Sequence, residues 1–175
     1  MSLQISPMET STDIYVQVAQ FLALEAALLD DNRVWDWYKL LADDYQLDVP
    51  IRIARKRGAG DEFVAGSHHM KDTKGSTEKR ILRLFSGHAW AEDPPSRTCR
   101  VVGSVVILGE RLPGEFEVSS SLILYRERGL TPAHTIIAGK RSDIIRVTEN
   151  GLELVARTMH LAHTILNTSN LGVFI

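Results

Sequence analysis

Apolar residues recur at helical spacing in the first forty residues of the chain. Beginning at Thr12 they stand three or four positions apart, and they predict a first helix that Ser11 or Thr12 can cap. The polar group Asp30-Asp31-Asn32 interrupts this pattern, and a second helix is predicted over Arg33–Leu41. The apolar residues of the first helix are Ile14, Val18, Phe21, Leu22, Leu28 and Leu29.

The pattern then changes to the alternation that is typical of strands. Residues Tyr45–Ala54 predict a first strand. Pro50 within it indicates a sheet edge or a bulge, because proline cannot donate a ladder hydrogen bond. A short strand is expected near Glu62–Ala65, and His68–Asp72 is expected to form a loop or a single turn.

A third helix follows and leads into a proline-containing junction. Ser76 can cap this helix and Gly87 is placed to end it. The junction His88–Arg97 contains Pro94-Pro95, which can neither continue a helix nor donate backbone hydrogen bonds. We interpret it as the connection between a helical half and a β half, with Trp90 as a core residue.

Four long runs with strand character fill the rest of the chain. Asn150-Gly151 is a strong hairpin signal, and Pro113-Gly114 predicts another turn. Strands this long twist and curl, at bulges such as Gly103 and Gly139. The pattern predicts one α+β domain, residues 1–175, in which a strongly bent antiparallel sheet wraps around the N-terminal helices. The four runs are Arg97–Gly109, Glu115–Arg128, Ala133–Val147 and Leu152–Leu166.

Composition indicates which partners and which cellular compartment such a domain has. The chain has 20 basic and 22 acidic side chains and a formal net charge of -2, which gives no global electrostatic case for nucleic acid or an anionic membrane. The longest uninterrupted apolar run is too short to span a bilayer, and the polar start lacks the apolar region of a secretory signal. Cys99 is the single cysteine, so no disulfide forms within the chain. We therefore predict a cytoplasmic protein.

Two groups of side chains could form binding surfaces. Trp35, Trp37 and Tyr38 could line a ligand pocket, although such a set is more often part of a core. The basic residues of Arg52–Arg57 could meet an acidic patch on a partner, although a solvated strand end explains them more simply.

The metal-binding residue types have no spacing that predicts a site. His68 and His69 diverge, and His160 and His163, three positions apart on a predicted strand, point to opposite sides. One cysteine cannot build an all-cysteine zinc site or a Rieske centre within the chain, whereas composition leaves a two-histidine, one-carboxylate iron site open. Cys99 lies in a predicted strand and is expected to be a buried, inert thiol.

Acid–base catalysis in a cavity beneath the bent sheet is the enzymatic option that the residue types allow. The alternative is that Asp43 and Asp44 end a helix and Asp93 caps the junction turn. A stand-alone isomerase or dehydratase and a plain ligand-binding or oligomerisation module therefore both stay open. The acid–base candidates are His88, Asp43, Asp44, Tyr45 and Asp93.

An ordered series of short motifs runs along almost the whole chain, and the most specific of them is Gly87–Arg97, GHAWAEDPPSR. With these motifs the chain resembles the small (beta) subunit of the aromatic-ring-hydroxylating dioxygenases. The other motifs are Glu25–Asp30, Trp35 with Trp37, Leu40-Leu41, Asp44-Tyr45, His69-Met70, Arg80–Leu84, Leu122–Arg126, Ala138–Asp143 and Asn170–Phe174.

The resemblance implies a cone-like fold of the nuclear-transport-factor-2-like or cystatin-like type. It also implies a heterohexamer of three large (alpha) and three small subunits, the small ones associating as a trimer. In this family the large subunit carries a Rieske 2Fe–2S cluster and a mononuclear Fe(II), which adds both atoms of O2 to an aromatic ring with electrons from NADH through a reductase. The small subunit has a structural role, so catalytic, cofactor-binding and metal-binding residues are not expected in this chain.

The junction is where we predict a subunit interface. Trp90 is expected to be buried, and Arg97 is expected to pair with a carboxylate or a carbonyl of a neighbouring subunit. The predicted interface residues are Trp90, Pro94, Pro95 and Arg97.

Overall fold

The computed structural model describes residues 12–86, 95–128, 134–165 and 172–175. Within them, the three helices lie in the first half together with two strands, and four long strands lie in the second half, as the sequence pattern predicts. In chain order the elements are α1 (Thr12–Asp30), α2 (Val34–Tyr38), β1 (Leu41–Arg52), β2 (Phe63–Thr73), α3 (Lys74–Leu84), β3 (Arg97–Leu112), β4 (Glu115–Glu127), β5 (His134–Thr148) and β6 (Gly151–Leu161).

The strands form one six-stranded sheet in the order β2-β1-β6-β5-β4-β3. Strands β3 to β6 are an antiparallel meander, whereas β1 lies parallel to β6 and antiparallel to β2. The predicted hairpin at Asn150-Gly151 is confirmed by the pairing of Thr148 with Gly151. This arrangement confirms the α+β fold with a curled sheet around the helices, but the prediction of an antiparallel sheet is wrong at one pairing, because β1 lies parallel to β6.

The core lies between the helices and the inner face of the sheet. In β4 the inward side chains alternate with outward ones, so Val118, Leu122 and Leu124 are buried while Ile123 is exposed. By length and composition helix α1 could cross a membrane. This differs from the expectation that was based on uninterrupted runs of apolar residues. The buried residues of α1 pack into this core, however, and Glu25 is among them, which is the behaviour of a core helix in a folded domain.

Helix α2 is shorter and β1 longer than predicted. The helix ends at Tyr38, and Leu41 already belongs to the sheet. The reason is a tertiary hydrogen bond: the backbone N–H of Leu154 in β6 donates to the carbonyl of Leu40, at 2.8 Å. Asp43 and Asp44 therefore lie in a strand, and the expectation that they end a helix is wrong.

Strand β2 includes His68–Asp72, which the sequence pattern places in a loop. Pairing with β1 extends the strand, since Val49 is opposite Met70 and Gln46 is opposite Thr73. The cap of α3 is then Thr73 instead of Ser76. The N–H of Ser76 donates to the Thr73 hydroxyl, and the N–H of Thr73 donates back to the Ser76 hydroxyl.

Two of the three predicted bends in the strands are register shifts. The pairing of β1 with β2 shifts on both sides of Pro50, so the proline marks a bulge in a central strand. The pairing of β3 with β4 shifts between Gly103 and Val106. Gly139 is different: its pairing is regular, and its role is a close approach, because a Cβ there would lie 2.3 Å from the carbonyl oxygen of His160.

The exposure of several singled-out side chains depends on which face of an element they occupy. Trp37 is buried and Tyr38 is half-buried, as a core interpretation predicts, but Trp35 is exposed. Cys99 is also exposed, because it points to the outer face of the edge strand β3, and the expectation of a buried thiol is wrong. The basic residues 55–57 are exposed, consistent with a solvated strand end.

Candidate functional site

The interior of the cone holds a cluster of four buried charges. Glu25 of α1 accepts hydrogen bonds from both terminal nitrogens of Arg157 in β6, at 2.7 and 2.8 Å, and one from Arg141 in β5, at 3.2 Å. Asp143 accepts two more from Arg157, at 2.9 and 2.8 Å. The indole N–H of Trp37 donates to Glu25 at 3.2 Å. Two cations and two anions thus form a neutral cluster inside the cone.

The charges of this cluster stabilise one another. Burial opposes ionisation of Glu25, but Arg157 and Arg141 together outweigh it and lower the pKa of Glu25 from 4.5 to about 2. Burial likewise opposes the charge on Arg157, and Asp143 and Glu25 more than compensate, so its pKa is raised well above the ordinary value. Glu25 and Arg157 are therefore both ionised at neutral pH.

Acid should weaken the fold through Glu25. Its folded pKa lies below its ordinary value, so the stability that it contributes is fully present above about pH 4.5 and is lost as the pH falls toward about 2. We expect the natural chain to lose roughly 3 kcal/mol more of its free energy of unfolding across this window than Glu25→Gln, which cannot ionise there. Urea unfolding at pH 7, 4.5 and 2 measures the difference. Equal pH slopes for the two proteins would contradict the assignment.

Three arginines also hold the residues at the end of the sequence inside the cone. Arg80 donates to the carbonyl oxygen of Val173 at 3.4 Å, Arg100 to that of Phe174 at 2.7 Å, and Arg157 to the backbone oxygen of Ile175 at 3.3 Å. All three tail residues are buried. We call Val173–Ile175 the tail segment.

The ring of Phe174 fills the space next to Trp37. The two ring centroids are 4.7 Å apart, and the guanidinium of Arg80 lies 4.7 Å from the Phe174 centroid on a cation–π contact. The tail segment and the charge cluster pack against each other inside the cone, and Arg157 also lines a pocket of about 510 Å³ together with residues of β1 and β2.

The acid–base candidates are not brought together. Tyr45 is buried, and burial raises the pKa of its hydroxyl further from the neutral range. Asp43 accepts a hydrogen bond from Lys74 at 2.7 Å, and Asp44 accepts one from Arg146 at 2.9 Å, which lowers the pKa of Asp44. His88 and Asp93 lie outside the described residues. The described geometry therefore does not favour a stand-alone isomerase or dehydratase.

The described residues also do not fit an iron–sulfur cluster or a mononuclear iron. No three histidine, cysteine or carboxylate side chains converge within residues 12–86, 95–128, 134–165 and 172–175. Three of the five described histidines have other partners: His68 pairs with Asp48, the ring of His160 packs on Phe63, and His163 accepts a hydrogen bond from the Ala138 N–H. Cys99, the single cysteine, is exposed on β3.

The predicted interface residues are only partly within the described chain. Pro95 and Arg97 are exposed, and Arg97 pairs with Glu127 of the same chain at 2.8 Å, with 71% of its side chain accessible. Trp90 and Pro94 lie outside the described residues. The predicted partner of Arg97 in a neighbouring subunit stays a prediction.

An exposed apolar area lies beside Arg97 on the outer face of the sheet. Val101 of β3 is opposite Ile123 of β4, and Tyr125 of β4 is opposite Ile136 of β5. Between 38 and 60% of each of these four residues is exposed. We call them the outer apolar patch.

The sequence interpretation missed the charge cluster, although a signal for it exists. Glu25 stands on the apolar stripe of α1, three positions after Leu22 and four before Leu29. Arg157 alternates in phase with Met159 and Leu161 on the inward face of β6. A charged residue in register with a buried face indicates a partner inside the core.

Comparison with known proteins gives the chain its family. The family model of the ring hydroxylating beta subunit matches residues 24–168. The biphenyl 2,3-dioxygenase subunit beta of Rhodococcus jostii (strain RHA1) is 34% identical over 99% of this chain and 95% of the relative. The benzene 1,2-dioxygenase subunit beta of Pseudomonas putida (strain F1) is 35% identical over 96% of this chain and 92% of the relative.

A solved structure has the same fold. A structure of naphthalene 1,2-dioxygenase with indole bound in its active site contains a chain that superimposes with a TM-score of 0.85, covering 99% of this chain and 91% of the other, at 22% identity. The cone-like α+β fold expected from the resemblance is thereby confirmed. The matched family model and these relatives lead to one conclusion: the chain belongs to the beta subunits of the ring-hydroxylating dioxygenases.

Proposed function

We propose that this chain is the non-catalytic assembly subunit of its dioxygenase. The observation that supports this most is the interior of the cone, where Glu25, Asp143, Arg141 and Arg157 pair with one another, the tail segment packs beside them, and Asp43 and Asp44 are held in other ion pairs. A cavity enzyme needs an open pocket with an acid or base free to act. A subunit that supports a partner needs a rigid body, and a buried cluster of paired charges supplies rigidity.

The proposed complex has three large and three small subunits, the small ones forming a trimer, and works in the cytoplasm. The large subunit would hold the Rieske cluster and the mononuclear Fe(II), take electrons from NADH through a reductase, and add O2 to the ring of an aromatic compound. The relatives named for biphenyl and benzene support an aromatic hydrocarbon as that compound. This chain would act as a single domain, residues 1–175.

The outer apolar patch and the neighbouring Arg97 are the proposed contact surface. An exposed group of four large apolar side chains on adjacent strands is a common mark of a protein interface. Trp90, Pro94 and Pro95 belong to the same proposed surface because they are within seven positions of Arg97 in the sequence.

Co-expression with the large subunit tests the proposal. We expect the two chains to co-purify at a native mass equal to three copies of each, and the complex to have the visible spectrum of a Rieske cluster. The chain expressed alone should have no such spectrum. A native mass without the large subunit, or a Rieske spectrum from this chain alone, would contradict the proposal.

Arg97→Ala should affect assembly more than folding. The Arg97–Glu127 pair is largely exposed, so its loss should lower the free energy of unfolding of the isolated chain by less than about 1 kcal/mol. In the complex we expect at least a tenfold rise in the dissociation constant, measured by native mass at serial dilution. Arg33→Ala, which breaks a similarly exposed pair with Asp36 at 2.8 Å, is the matched control and should leave dissociation unchanged. Equal dissociation of the two variants would remove Arg97 from the interface.

A further inference from the structure

The hairpin that joins β5 to β6 contains an asparagine followed by a glycine. Asn150 is the only asparagine in the sequence that precedes a glycine, and both residues of the pair are exposed. The backbone N–H of Asn150 donates to the hydroxyl of Thr148 at 3.2 Å, but its carboxamide makes no hydrogen bond within the part of the chain that the structure describes. An exposed side chain changes rotamer within nanoseconds, so this carboxamide can turn toward the main chain.

Gly151 places little in the way of such an approach. Its φ is 116°, in the region that favours glycine, and a Cβ built there would have no atom within 4 Å. Asn32 provides the contrast. It is also exposed, but Arg33 follows it, and the N–H of Arg33 is held by the carbonyl oxygen of Leu28 at 2.8 Å.

The same turn sets the register of the strands that carry the charge cluster. Thr148 and Gly151 are its closing pair. Further along this ladder Asp143 lies opposite Arg157, and these two residues pair inside the cone. Since the register of a hairpin is fixed by its loop, a change in the length of the turn would act on this pairing.

We propose that Asn150 is a site of spontaneous deamidation in the folded chain, converted to aspartate and isoaspartate with Gly151 as the attacking residue. The backbone nitrogen of Gly151, on losing its proton to solvent, bonds to the side-chain carbonyl carbon of Asn150 and closes a succinimide ring. The bond between that carbon and the amide nitrogen breaks, and ammonia leaves with a solvent proton. Water then opens the ring at either of its two carbonyls. One water is consumed, one ammonia is released, and no atom is oxidised or reduced.

The two products differ in their effect on the hairpin. Both place a negative charge where the neutral amide stood, directly after Glu149. Isoaspartate also adds one carbon to the main chain, because the chain then runs through the former side chain. We expect isoaspartate to lower the urea midpoint of the chain by lengthening the turn, and aspartate to leave it nearly unchanged, because solvent and salt screen a charge at an exposed turn.

Ageing of the purified whole chain tests the proposal. The protein is kept folded in mildly alkaline buffer, with circular dichroism as the check, and is digested at intervals. Mass spectrometry detects the gain of one mass unit, and an isoaspartyl methyl-acceptor assay counts isoaspartate in the same peptides. We expect Asn150 to convert at least tenfold faster than Asn32, and Asn150→Gln to show no conversion at this position over the same period. If the two asparagines convert at equal rates, or if Asn150 converts only when urea unfolds the chain, the hairpin protects the site and the proposal is wrong.

A second comparison tests the effect on the hairpin. Asn150→Asp carries the new charge on a main chain of normal length, and Asn150→Gln, aged in parallel, controls for other damage. The urea midpoint of the aged natural chain should fall as its isoaspartate content rises, whereas Asn150→Asp should match the fresh natural chain. Equal midpoints for aged and fresh protein would show that the longer turn leaves the register intact, and the expected effect on the cluster would be wrong. These measurements use the chain without its partner, so their failure leaves the proposed assembly role untouched.

Discussion

Arg157→Ala should lower the free energy of unfolding of the chain by about 3–5 kcal/mol, the largest effect that we expect from a single substitution. Arg157 is fully buried and donates to Glu25 and Asp143 together. Without it, Asp143 loses its two hydrogen bonds from Arg157 and Glu25 keeps only Arg141 and Trp37. An unpaired buried carboxylate must either stay charged at high cost or take up a proton. Urea denaturation at pH 7 measures the loss.

Two further variants show whether the loss comes from the charges. Arg33→Ala breaks an exposed pair with Asp36 and should leave the free energy of unfolding nearly unchanged, because solvent screens such a pair. Adding Glu25→Gln to Arg157→Ala should cost less than the sum of the two single changes, since Gln carries no charge to leave unpaired. A loss below 1 kcal/mol for Arg157→Ala, or strict additivity, would mean that the cluster does not hold the helix to the sheet.

Gly139→Ala should destabilise the chain by about 1–3 kcal/mol or more, through steric overlap instead of charge. The added Cβ would lie 2.3 Å from the carbonyl oxygen of His160, and a strand backbone cannot yield as a flexible side chain can. Gly109→Ala is the matched control, because a Cβ there has no atom within 4 Å. In a strand interior, alanine should equal or exceed glycine in stability. Thermal or urea unfolding of both variants gives the comparison, and equal stabilities would contradict the close approach of β5 and β6.

The long elements could be predicted because their signals are local. The apolar stripe of α1 and the alternation in β4 are repeated several times within one element, so single exceptions do not hide them. The Asn150-Gly151 turn likewise depends on residues next to one another in the chain. The mistakes occur where a distant partner decides. Residues 68–72 look like a loop until β1 pairs with them, and α2 ends early because Leu154 takes the carbonyl of Leu40.

The site could be predicted only in its general character. The family motifs indicated the class of protein. They did not indicate that Glu25, Asp143 and Arg157 meet, since these residues are separated by up to 132 positions in the chain. Such a contact follows from the closure of the sheet over α1. The exposure of Cys99 was missed for a related reason, because a strand pattern does not say which face is covered.

The central claim is that this chain supports assembly and does not itself catalyse the reaction. Its most direct test measures iron content and turnover for the separate subunits and for the complex. The chain, purified alone, is supplied with NADH, reductase, O2 and a panel of aromatic hydrocarbons, and the large subunit is tested with and without it. We expect no iron and no oxygenated product from the chain alone, and product from the large subunit only when this chain is present. Stoichiometric iron in the isolated chain, or oxygenation by it without the large subunit, would contradict the account.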